Sequence, residues 1–212
     1  MDRVRNDKLV IMIISVATLF VAVVAISFAY FTAVNGGTVS TEMLVQTATM
    51  DSLVFSSDEQ VILDVTQDNF GYGDGDVVGI AYSSVELTAG NSNSTSNYCY
   101  SMDLNILENN FEYTTADNTP ELVLSLYGSD EPFQDDDLSN ATLIVDERDL
   151  TTKTTVQTLI SSRDISAESG QTEHKYYKTI IKMKNLDSVQ DANAGKQFIG
   201  SIVLNKIACI ND

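Results

Sequence analysis

Two kinds of hydrophobic pattern divide the chain. From Leu9 to Ala29 the residues LVIMIISVATLFVAVVAISFA run without a charge, and at about 1.5 Å per helical residue they cover roughly the 30 Å of a bilayer's hydrocarbon core. Only Ser15, Thr18 and Ser27 interrupt the apolar surface, and each can hydrogen-bond back to its own helix. Residues 1–34 therefore read as a cytoplasmic stub followed by one hydrophobic helix, a membrane span or a signal segment. Asn35-Gly36-Gly37 forms a linker, and beyond it no helical period persists for more than about two turns. Short runs rich in Val, Ile, Thr and Tyr follow instead, separated by Gly, Asn, Asp and Ser clusters.

The expected strands are Val39 to Thr47, Ser52 to Phe55, Gln60 to Thr66, Val77 to Leu87, Ser96 to Leu107, Glu121 to Tyr127, Ala141 to Asp146, Thr155 to Ser161, Thr172 to Lys184 and Gln197 to Ile207. Alternation gives the longer ones a face. Tyr98, Tyr100, Met102, Leu104 and Ile106 share one side of their strand, with Cys99, Ser101, Asp103 and Asn105 on the other. Val61, Leu63 and Val65, then Leu122, Leu124 and Leu126, then Thr179, Ile181 and Met183, then Phe198, Ile202 and Leu204 repeat the pattern. Strands with one apolar face need a second layer to cover it, so residues 35–212 predict one extracellular all-β domain. Its expected form is an antiparallel two-sheet sandwich, jelly-roll or immunoglobulin-like, with a closed barrel as the alternative.

The apolar stretch also sets the compartment. Arg3, Arg5 and Lys8 precede it, and orientation follows the Lys and Arg count, so the N-terminus is expected inside the cell and everything after about Tyr30 outside. Ser27-Phe28-Ala29 places small residues where a signal peptidase reads, making Ala29 the candidate cleavage site. Retention and cleavage both remain open. The chain holds 30 acidic and 12 basic residues, of which two and three respectively precede Leu9, leaving 28 against 9 in the exported part. Such a surface repels phosphate backbones and anionic head groups, which argues against a nucleic-acid partner.

Chemistry-bearing residues are few. Cys99 and Cys209 are the only cysteines, and outside the cytoplasm they can pair within one chain or across two. Strand phase turns both away from the main core, so a cross-strand or surface bond is expected over a buried inter-sheet one. Three acidic, Gly- or Asn-rich segments, Asp68 to Asp76, Asp130 to Asp137 and Asp187 to Asn193, offer oxygen ligands. Asp74, Asp76, Asp187 and Asp191 are the calcium candidates among them. None has the spacing of a helix-loop-helix calcium site, and turn formation accounts for the same residues. No other cofactor is expected. His174, the only histidine, sits alone between Glu173 and Lys175 as a solvated strand residue; there is no GxSxG, P-loop or GxGxxG, so no catalytic residue is assigned. Asn93-Ser94-Thr95 and Asn140-Ala141-Thr142 match the acceptor triplet for N-glycosylation.

The junction AISFAYFTAVNGG resembles the N-terminus of the TasA and camelysin group of secreted bacterial proteins. The C-terminal stretch YYKTIIKMKNLDSVQDANAGKQFIGSIVLNKI is similar to the same group. The resemblance implies a jelly-roll-like sandwich, secretory export, processing near Ala29 and a role in surface fibres or biofilm matrix. It also implies strand donation between subunits, with about Tyr30 to Thr47 as the donor. Camelysin's metalloprotease activity finds no zinc-binding constellation here. The expected function is thus a non-enzymatic, surface-exposed structural protein, secreted or held on the outer face of the cell membrane by its N-terminal helix. The alternatives are an anchored monomeric adhesin whose loops, such as Gly128 to Asn140, engage a ligand, and a pilin-like filament subunit.

Overall fold

The computed structural model describes residues 50–209 except 59, 67, 71–73, 92–93, 135–136 and 187. The apolar stretch, Ala29 and the strand expected from Val39 to Thr47 lie outside the described residues. Among those described, no helix is long and apolar enough to cross a membrane.

Nine strands occur among the described residues: β1 Ser52–Ser57, β2 Val61–Asp64, β3 Val77–Thr88, β4 Ser96–Asn109, β5 Leu122–Ser129, β6 Thr142–Asp149, β7 Gln157–Ala167, β8 Thr172–Met183 and β9 Gln197–Ile207. They form two antiparallel sheets, one ordered β1-β3-β8-β5-β6 and the other β2-β9-β4-β7. The pairs nest about the β5–β6 connection, β5 with β6, β4 with β7, β3 with β8 and β2 with β9. Successive pairs fall in alternate sheets, so one long folded-back ribbon supplies both layers of a β-sandwich. β1 extends the five-stranded sheet beyond β3.

The core lies between the sheets, and it is made by the faces that alternation selects. Tyr100, Met102 and Leu104 of β4 and Phe198 of β9 meet Leu122, Leu124 and Leu126 of β5 and Tyr177, Ile181 and Met183 of β8, all at 1% exposure or less. Burying each such side chain is worth roughly 1.5–3 kcal/mol, which is why a period-two pattern alone commits a strand to one face. At the centre the Tyr100 and Tyr177 hydroxyls hydrogen-bond to each other across the two sheets. Withdrawal from water, with the second phenol beside it, pushes the Tyr100 hydroxyl well above its ordinary pKa.

Several strands run one or two residues past their expected bounds, and two run three or more past them. β6 continues through Glu147 and Arg148 to Asp149, and the strand expected at Thr155 to Ser161 begins at Gln157 and continues through Ser162, Arg163 and Asp164 to Ala167. Both are edge strands. Charged side chains at an edge stay in solvent while the backbone pairs inward, so local polarity concealed the strand. β7 turns directly into β8 through Gly170, whose φ of +71° is open to glycine at no steric cost.

Candidate functional site

The two ends of β5 are built differently. At its start lies Glu121, fully buried yet ionisable. Its Oε1 accepts from the backbone N–H of Thr114 at 2.5 Å and the Thr114 hydroxyl at 2.8 Å, and its Oε2 accepts from Gln190 Nε2 at 2.6 Å and Asn193 Nδ2 at 3.0 Å. Both amides have a second duty, Gln190 Nε2 to the Lys184 carbonyl and Asn193 Nδ2 to that of Glu112. The Thr151 hydroxyl accepts from the Glu121 and Leu122 amides and donates to Asp149. The carboxylate thus ties the β4–β5 connection to the β8–β9 connection, and the backbone amides of Glu121 and Leu122 add the β6–β7 connection through Thr151. With four donors satisfying it, Glu121 is a structural hub. Asp149 also accepts from Tyr113. Partial burial works to raise its pKa, but the bonds from Tyr113 and Thr151 outweigh it and hold the carboxyl below its ordinary 3.8.

The other end of β5 opens into the connection to β6, which carries two adjoining concavities. One, of about 140 Å³, includes Glu131, Phe133, Asp137 and Asn140 in its wall. The second, of about 100 Å³, is bounded by Asp130, Asn140, Thr142, Arg163, Lys175 and Tyr176, and the two share Ser129 and Asn140. Local hydrogen bonds shape the loop: Glu131 N–H donates to Ser129 Oγ, Ser139 N–H to Asp137 Oδ1 and Ala141 N–H to the Leu138 carbonyl. Phe133 reaches across the outer face of the sheet to Tyr82 of β3, with ring centroids 6.2 Å apart. A Cβ at Gly128 would lie 2.8 Å from Ile144 Cδ1, the far end of that side chain, and 3.3 Å from the Tyr177 ring, so a larger residue there needs Ile144 to shift.

Lys175 Nζ lies 2.7 Å from Asp130 and 3.2 Å from Glu173. Its partial burial favours the neutral amine, but the two carboxylates prevail and hold the ammonium above its ordinary pKa. Tyr176 stacks on His174 with centroids 5.8 Å apart and planes 10° from parallel, and Arg163 Cζ lies 6.0 Å from the centroid of the Tyr177 ring at the back of the second concavity.

Cys99 and Cys209 are bonded to each other within the chain, with Cα atoms 5.0 Å apart. Cys99 is buried but outside the hydrophobic cluster, and it faces Ile207 in the β4–β9 register, so the bridge anchors the segment just past the end of β9. His174 is half-exposed, 3.6 Å from Glu86. Asn140 is exposed; Asn93 lies outside the described residues.

The described calcium candidates belong to no metal-binding group. Asp76 Oδ1 accepts from the Asn185 amide and its Oδ2 lies 3.9 Å from Lys182, while the backbone carbonyl of Asp74 accepts from Asn185 Nδ2. Asp191 is exposed at the start of a short 3₁₀ turn, Asp191–Asn193, and Asp187 lies outside the described residues. Among the described residues no three His, Cys, Asp or Glu side chains form a metal-binding group. In the segment from Asp187 to Asn193, Gln190 and Asn193 serve Glu121 instead. The sequence reading missed that hub and Arg163. Its one available signal was a Glu placed directly before the Leu122, Leu124, Leu126 core face.

No protein-family model matches the chain, and no curated protein matches it. Among solved structures, the infectious bursal disease virus of the Gx strain is similar over 78% of this chain and 34% of that chain, with 11% identity and a TM-score of 0.32. A chaperone–tip adhesin complex of CFA/I fimbriae biogenesis is similar over 76% of this chain and 53% of that chain, with 10% identity and a TM-score of 0.29. A family 35 carbohydrate binding module from an environmental isolate is similar over 82% of this chain and 83% of that one, with 11% identity and a TM-score of 0.21. The chain spans about a third of the length of the viral proteins it matches. Overlaps this loose carry no functional weight.

Proposed function

We propose that this chain is a non-enzymatic structural protein of the cell exterior, exported through its N-terminal apolar helix and assembling into surface fibres or matrix, in the manner of the TasA and camelysin group it resembles. The nested pairing of β2 with β9 through β5 with β6 supports the jelly-roll form of the sandwich over the immunoglobulin-like one. The disulfide fits an oxidising compartment.

The observation that carries assembly is the contrast among sheet edges. β6 displays Asp146, Glu147, Arg148 and Asp149, β7 displays Arg163 and Asp164, and β2 is only four residues long. β1, SLVFSS, has no charge, proline or glycine, and among the described residues nothing pairs with its outer edge. Edges without such protection are where another strand adds. The segment from about Tyr30 to Thr47, on a neighbouring subunit, is the proposed strand. A net charge of −18 opposes contact between copies, and raising salt from about 0.01 to 0.1 M shortens the Debye length from roughly 30 to 10 Å. A chain beginning at Tyr30 is therefore expected to elongate into fibres as salt rises, and one beginning after Thr47 to stay monomeric, by light scattering and negative-stain microscopy. Monomers of both under every condition would move the reading to an anchored adhesin, which the concavities of the β5–β6 connection favour.

A further inference from the structure

The β5–β6 connection supports a step that does not depend on assembly. We propose that its adjoining concavities form a subsite for a neutral, hydroxyl-rich ligand, a sugar ring of a glycan. Two features specify the class. First, the wall mixes donors and acceptors at close quarters: Arg163 and Lys175 donate, Asp130 accepts, and Asn140, Ser129 and Thr142 do both. A hydroxyl both donates and accepts, so a ring bearing several of them matches such a wall, whereas an ion matches only half of it. Second, the site's ammonium is compensated, since Lys175 lies against both Asp130 and Glu173; with Glu131 and Asp137 in the neighbouring concavity, little field is left to draw an anion.

The wall is also formed in advance. Phe133 is anchored on Tyr82, and the turns at Ser129 and Asp137 hold the loop without a ligand, which lowers the ordering cost of binding. Concavities of about 140 and 100 Å³ fall below the ~300 Å³ at which buried drug-sized sites begin. They suit one or two rings at a surface, with a Kd on the order of millimolar.

The test is saturation-transfer NMR on the full-length protein in a sugar-free phosphocholine detergent, with lactose, cellobiose, maltose and di-N-acetylchitobiose as probes and galacturonate as the charged comparison. Transfer to at least one neutral disaccharide is expected, reduced at least tenfold in Asn140→Ala and in Arg163→Leu and unchanged in Ser161→Ala, with near-ultraviolet circular dichroism confirming that each variant is folded. No transfer to any neutral probe, equal transfer in Asn140→Ala and Ser161→Ala, or a tenfold preference for galacturonate would each overturn the proposal.

Discussion

Replacing Glu121 by Gln changes almost no volume and removes one charge, so it isolates what the buried carboxylate does. Four donors converge on its two oxygens, two on each. In Glu121→Gln the new amide nitrogen must take the place of one oxygen. It then meets either Thr114, whose hydroxyl can turn to accept from it while the Thr114 backbone N–H is stranded, or the Gln190 and Asn193 amides, two donors with no lone pair to offer. At about 1–3 kcal/mol for each donor left without an acceptor, the less costly orientation still loses about 1–3 kcal/mol. Glu121→Ala strands all four and leaves a void, so it should cost more than Glu121→Gln by at least about 2 kcal/mol. Thr114→Ala removes one donor to a charged acceptor and should cost about 1.5–3 kcal/mol. Urea unfolding followed by circular dichroism measures all three. Tyrosine fluorescence gives a second probe, since the chain has no tryptophan. A Glu121→Gln variant within about 0.5 kcal/mol of the parent at unchanged m-value would refute the hub, because that is the ordinary range for surface substitutions.

The disulfide closes a loop with a sequence separation of 110, so Cys99→Ala with Cys209→Ala should lose about 5 kcal/mol in the chain-entropy account and lower Tm by about 10–20 °C; a fall of less than 5 °C by calorimetry would contradict it. Thr179 Oγ1 is buried without a partner in the structure, so Thr179→Val should stabilise by about 1 kcal/mol, and a loss of stability in urea would show that the hydroxyl is bonded. Asp149 has its folded pKa depressed below 3.8, so its contribution is fully present above that value and is lost as pH falls through the folded pKa. The stability advantage of the parent over Asp149→Asn should therefore be constant above about pH 5 and shrink below it; an advantage that grows as pH falls would reverse the sign.

The sequence by itself determined the class of fold and most of its strands, because a period-two pattern reports a local geometric fact: successive side chains leave a strand on opposite sides. Tyr100 to Ile106, Leu122 to Leu126 and Thr179 to Met183 could be assigned to a core face without knowing what they packed against. Strand phase likewise turned Cys99 away from the hydrophobic cluster, though not toward a partner. Pairing is non-local, and only the tertiary structure decided it. Nothing along the chain says that β2 lies beside β9 or that Cys99 and Cys209 meet, since each contact joins segments more than a hundred residues apart. The charged ends of β6 and the polar middle of β7 became strands because neighbouring backbones supplied hydrogen bonds that local propensity could not foresee. Glu121 is the sharpest case. Read alone it is a surface acid after a proline, and it becomes an internal anchor only when Thr114, Gln190 and Asn193 are brought around it from two separate connections. A buried charge is tolerated only where folding assembles its partners, so its role is a property of the assembled site and of no segment within it.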